Sequence, residues 1–140
     1  MRVLIMTMLL MGLVLGVSYA QSSPLKSKKI KWVASGMKDL VTGDYRSVTM
    51  FFMTDGQANQ MVWDQKNGTI TYNINITSIT TTWTNLDVDG TAKFSISWNG
   101  QPGTLIVTRK SGQLSMQIDV NPNGDDRFYF QFNISGCQLV

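Results

Sequence analysis

Between residues 91 and 134 the apolar residues fall on every second position, in four consecutive segments. Ala92, Phe94, Ile96 and Trp98 alternate with polar neighbours. Leu105 and Val107 follow, then Leu114, Met116, Ile118 and Val120, then Phe128, Phe130, Phe132 and Ile134, with Gly, Pro, Asn or Ser between the segments. A period of two turns one face of each segment to a core and the other to water, which is the signature of antiparallel strands.

The same pattern extends upstream. Residues 29–33 begin a first strand. Residues 46–53 form a second, in which Met50, Phe51, Phe52 and Met53 are apolar on both faces, as in a strand covered on both sides. Residues 60–65, with Met61 and Trp63 inward, lead through Asn67-Gly68, a two-residue hairpin signal, to residues 69–77. There Ile70, Tyr72, Ile74 and Ile76 share a face. Residues 78–84 continue as a Thr-rich strand with Ile79 and Trp83, and residues 136–140 close the sheet. Met37, Leu40 and Val41 have helical spacing between Gly36 and Gly43, which predicts a short helix over residues 37–42.

Eight or nine strands result, joined by hairpins, with no connection long enough for a crossover helix. The fold class is all-β, an antiparallel meander. An up-and-down barrel is favoured over a two-sheet sandwich, because closure removes exposed edges from strands this apolar. Trp63 to Ile70 and Trp98 to Leu105 also share a Trp, four residues, Gly-Thr and an aliphatic residue, an echo of two hairpins.

Composition sets the compartment and domain count. Met1-Arg2, an apolar run over residues 3–17 and the small residues Ser18 and Ala20 around Tyr19 read as a secretory signal peptide over residues 1–20, cleaved after Ala20. The expected location is secreted or periplasmic, with no membrane span after cleavage. Residues 21–28 read as a flexible basic arm and residues 29–140 as a single all-β domain. The chain carries 12 basic and 9 acidic residues, a formal net charge of +3. Lys26, Lys28, Lys29 and Lys31 concentrate the positive charge near the arm, and a nucleic-acid partner is not expected.

The absences decide most of the chemistry. There is no His, and every acidic residue is Asp. Ser-His-Asp and Cys-His arrangements, imidazole metal sites and glutamate general acids are therefore excluded. Asp44, Asp55, Asp89, Asp125 and Asp126 stand in Gly-marked turns, where a carboxylate caps backbone amides. The reading is a non-enzyme without a cofactor.

Three sets of residues remain as candidates. Trp32, Trp63, Phe94, Trp98, Phe128, Phe130 and Phe132 form either a filled core or the wall of a cavity for an apolar or mixed small ligand, since an eight-stranded barrel can do either. Asp119, Asn121, Asn123 and Asp125, with Gly124, match the first half of a calcium loop, but Phe130 stands where the bidentate Glu would be, so a polar turn is the favoured reading. Cys137, the lone cysteine, either fills a small apolar space or pairs with another chain. Asn67, Asn75 and Asn133 head N-glycosylation triplets, and Asn75 and Asn133 fall on outward faces.

An early Trp followed by a β-meander resembles, in outline, the lipocalin-like exported barrels. The family's Gly-x-Trp is Ile30-Lys31-Trp32 here, without the Gly, and its disulfides are absent, so no site residues carry over. Function is therefore read as one of two classes, the first favoured over the second. The first is a small-ligand binder using the barrel interior. The second is an envelope or extracellular module that meets another protein through its surface.

Overall fold

A computed structural model describes residues 22–65 and 68–140. The signal peptide expected over residues 1–20 lies outside the described residues, as does Asn67. One helical turn, α1 (Pro24–Ser27), precedes eight strands: β1 (Lys29–Asp39), β2 (Tyr45–Asp55), β3 (Gln60–Gln65), β4 (Ile70–Thr81), β5 (Gly90–Trp98), β6 (Gln101–Lys110), β7 (Gln113–Val120) and β8 (Phe128–Leu139). Each strand pairs antiparallel with the next, and β8 pairs with β1, so the meander is a closed barrel. The strand alternation read from the sequence thus gives the observed architecture.

The helix expected over residues 37–42 is not formed. Met37, Lys38 and Asp39 belong to β1, and a turn follows. The physical reason is a β-bulge between Ala34 and Gly36, which shifts the side-chain parity by one. Met37 then points inward opposite Phe132, and the 37/40/41 spacing marks a strand end and its turn. Asp39 closes that turn by accepting the Val41 and Thr42 amides at 2.8 and 3.2 Å. Two further bulges act in the same way. One between Ile76 and Ser78 brings Ile79 opposite Phe94, and one in β8 brings Cys137 opposite Trp32.

The arm expected to be flexible over residues 21–28 is instead folded from Ser22 onward. Ser23 caps α1, with its hydroxyl accepting from the Leu25 amide, and Pro24 occupies the first helical position, where no amide is needed. Leu25 is fully buried, and the Ser23 hydroxyl donates to the Trp83 carbonyl. Gly56 makes room for this plug: a Cβ there would strike the backbone of Leu25 and Lys26. The loop of residues 82–89 closes the same end around buried Trp83, whose indole N–H donates to the Val88 carbonyl at 3.0 Å and whose ring lies over Gly90.

On β2 the doubly apolar face resolves into Met50 and Phe52 inside, with Phe51 and Met53 half-buried outside. The Lys31 ammonium sits 4.1 Å from the Phe51 ring, so a neighbouring side chain covers the outer apolar position.

Deep in the barrel the Trp32 indole donates to Thr54 Oγ1 at 3.0 Å, with both residues fully buried. Thr54→Val keeps the shape but orphans that N–H, and should cost about 1–3 kcal/mol in denaturant unfolding. Trp32→Phe combined with Thr54→Val should cost less than the two single changes summed, because the double variant leaves no unpaired donor.

Candidate functional site

The two ends of the barrel differ. Strand order places Trp63, Tyr72, Trp98 and Phe128 toward the end formed by the turns after β1, β3, β5 and β7. Phe130 and Phe132 follow Phe128 down β8. Trp63 is the hub: its ring lies 5.4 Å from Phe52, 5.5 Å from Tyr72, 6.0 Å from Trp98, 5.4 Å from Phe128 and 5.6 Å from Phe132. Phe128 and Phe130 are 4.3 Å apart. Ring separations of this size are direct contact.

Five of the seven aromatic ligand candidates (Trp63, Trp98, Phe128, Phe130 and Phe132) therefore come together, in contact with one another. Trp32 and Phe94 are fully buried nearer the opposite end and make none of the described ring contacts. These rings pack directly on one another, with Trp98, Phe128 and Phe130 partly buried against the core. Four hollows on the surface of the described residues are lined by other residues.

The acidic loop candidates are placed for structural work. Both Asp119 oxygens accept from Arg127, at 2.9 and 2.8 Å, and the Arg127 guanidinium stacks 4.1 Å from the Tyr129 ring. Asp119 holds the Arg127 pKa above its ordinary value. Asn121 takes the left-handed conformation, and its amide donates to the Pro102 carbonyl at 2.9 Å. Asn123 and Asp125 are exposed in the turn. Among the described residues no cluster of three acidic or sulfur ligands is assembled.

Other carboxylates also serve turns. Asp55 accepts from the amides of Gln57 and Ala58, and Asp64 from that of Gly68. Asp89 reaches from one loop to the next hairpin, accepting from the Ser111 and Gly112 amides at 2.9 and 3.2 Å. Those two amides hold its pKa below the usual carboxylate value, with Arg109 adding to the effect against a desolvation cost.

The plugged end carries the larger concavities. One hollow of about 510 Å3 lies between α1, the loop of residues 84–87 and the end of β8, with Lys28, Leu86, Asp87, Cys137 and Leu139 on its walls. A second, of about 400 Å3, lies beside it against Arg109, Leu114 and Gly136. They arise because β7 begins opposite Ile134 whereas β8 runs on to Leu139, paired there with β1 alone. Arg109 braces the region, its Nε donating to the Leu86 carbonyl at 2.7 Å and Nη1 to that of Gly112 at 3.0 Å.

Cys137 is half-buried on this wall. Burial pushes its thiol pKa up, Arg109 opposes the shift, and Asp87 reinforces it. Neither hollow is legible in the strand alternation, because both depend on the barrel stagger and on a loop folding back. The aliphatic residues at the end of β8 and in the 82–89 loop are the sequence signal that points to them.

Compared with known protein families and with curated proteins, the chain matches none. No described helix is long and apolar enough to cross a membrane.

The pKa of Asp89 is lower folded than unfolded, so its contribution is fully present above the ordinary carboxylate range. It is lost as pH falls through the lowered value. Asp89→Asn should therefore be less stable than the parent at neutral pH, with the gap in unfolding midpoint closing in acid. For Cys137, alkylation should be slow at neutral pH and accelerate only at a pH above that of an unperturbed cysteine, as followed by mass spectrometry.

Proposed function

We propose that this chain is an exported, non-catalytic interaction module that works through its surface, with the hollow at the plugged end as its contact site. The observation that carries this reading is the filled interior. Trp63 and its surrounding rings occupy the space that a small-ligand binder would keep open, whereas the concave surface lies outside the core. A volume of about 510 Å3 is of the size that admits a few side chains, within the roughly 300–1,000 Å3 of typical binding pockets. Its walls mix aliphatic residues with one charge of each sign, as contact sites for protein segments do.

Non-catalysis is supported by the chemistry of the same walls. Lys28, Asp87 and a thiol held toward its neutral form supply no base, nucleophile and orienting group in the arrangement that acyl or glycosyl transfer requires. The closed barrel then acts as a rigid mount for the loop and helical turn that shape the hollow.

A photo-crosslinking residue at Thr84 or Gln138, both exposed on the hollow, should give a discrete protein adduct in the medium or envelope of the producing cell. The same probe at Asn73, exposed on the barrel wall, should give none. Equal labelling from both places would overturn the reading. So would a small molecule released from the folded chain on denaturation, in native mass spectrometry.

A further inference from the structure

Among the described residues, the exposed large apolar side chains stand at the two ends. Val41 and Tyr45 stand at the aromatic end, and Val88, Leu139 and Val140 at the plugged end. Charge divides between the same ends. Lys26, Lys28, Lys29, Lys31 and Lys110 cluster around the plugged end, where Asp89 is engaged with its turn. Asp39, Asp44, Asp64, Asp125 and Asp126 surround the aromatic end, where Arg127 is taken by Asp119. Among the described residues, Lys38 and Arg46 at the aromatic end, and Asp55 and Asp87 at the plugged end, offset each excess only in part. A small net charge thus divides, among the described residues, into a basic excess at one end and an acidic excess at the other.

The acidic end offers a knob. The turn between β1 and β2 carries Val41 at its tip, 63% exposed, with Asp39 and Asp44 on either side. Asp39 fixes the turn through the Val41 and Thr42 amides, and the Gly43 amide donates to the Asp39 carbonyl at 2.8 Å, so little order has to be gained on docking. The basic end offers the matching hole: the hollow whose apolar walls are Leu86 and Leu139, the latter 57% exposed, with Lys28 on its rim.

Resting on the reading of the chain as a surface-acting module, we propose that the partner seated in this hollow is a second copy of the same chain. The β1–β2 tip of one copy enters the basic end of the next. Val41 covers Leu86 and Leu139, and Asp44 meets Lys28. Asp87, on the other wall, takes its counter-charge from Lys38 of the same hairpin. Because the two contacting surfaces are different, the contact is heterologous and leaves the pair with one free end of each kind, so it propagates head to tail.

The test uses sedimentation velocity on the exported chain over a concentration series at low and at 1 M salt. Reversible association is expected, weakened roughly tenfold by salt that shortens electrostatic reach to about 3 Å. Val41→Lys should be monomeric, and so should Lys28→Asp combined with Leu139→Asp. All three positions are exposed, and near-UV circular dichroism checks that each variant is folded. Mixed together, these two variants should form a one-to-one dimer that stops there, since each retains one intact end.

A wild-type chain that stays monomeric throughout overturns the self-docking. So does a Val41→Lys variant that associates like wild type, or a mixture that stays monomeric. If self-docking fails while the Thr84 or Gln138 probes still capture a different protein, the interaction-module reading stands without it. If those probes capture nothing, both fall.

Discussion

Closing eight strands into a barrel fixes an interior volume that must be filled, and here it is filled largely by the rings around Trp63. The Trp63 indole touches rings from β2, β4, β5 and β8, so one side chain ties together strands far apart in the sheet. Its indole nitrogen lies 3.0 Å from the Met50 sulfur, a weak acceptor for the N–H. Edge-to-face contacts of this kind add about 0.5–1.5 kcal/mol per pair beyond the burial itself. These contacts are what hold the strands together at that end of the barrel.

Each end then has its own solution to the problem of finishing a staggered sheet. At the plugged end β4 outruns β3, and the space beside it is taken by α1 and the Gly56 turn, with Leu25 driven inside. β8 outruns β7 in the same way, yet no element is inserted there, and the hollows remain. Arg109 ties the 82–89 loop to the β6–β7 turn beside this second gap, donating to the Leu86 and Gly112 carbonyls. The contrast between a plugged gap and an open one is what leaves that corner concave.

The sequence made the strands legible wherever period-two alternation ran unbroken, as along Leu114, Met116, Ile118 and Val120, all of which face the core. It misled at bulges. Met37 looked helical because the Ala34–Gly36 bulge shifts its parity, and Ile79 and Cys137 fall out of step with Ile76 and Ile134 for the same reason. The folding of α1 was hidden because four lysines near Leu25 resemble a solvated arm, and only the gap beside β4 gives Leu25 a place to go. Of the seven aromatic candidates, Trp63, Trp98, Phe128, Phe130 and Phe132 lie in contact with one another and Trp32 and Phe94 are buried apart from them, a division that alternation does not reveal.

The hollow at the plugged end was illegible for a different reason. Its walls come from three separate stretches, around Lys28, Leu86 and Leu139, that share no local pattern. Stagger alone brings them together, and stagger is set by how many residues each pair of strands shares. Charge followed the same logic. Summed along the chain it nearly cancels, and only the up-and-down path, which returns alternate turns to the same end, sorts the lysines of α1 and β1 from the aspartates at the far ends of β1, β3 and β7. With opposite excesses of charge at its two ends among the described residues, unlike ends of such a barrel repel one another less than like ends do.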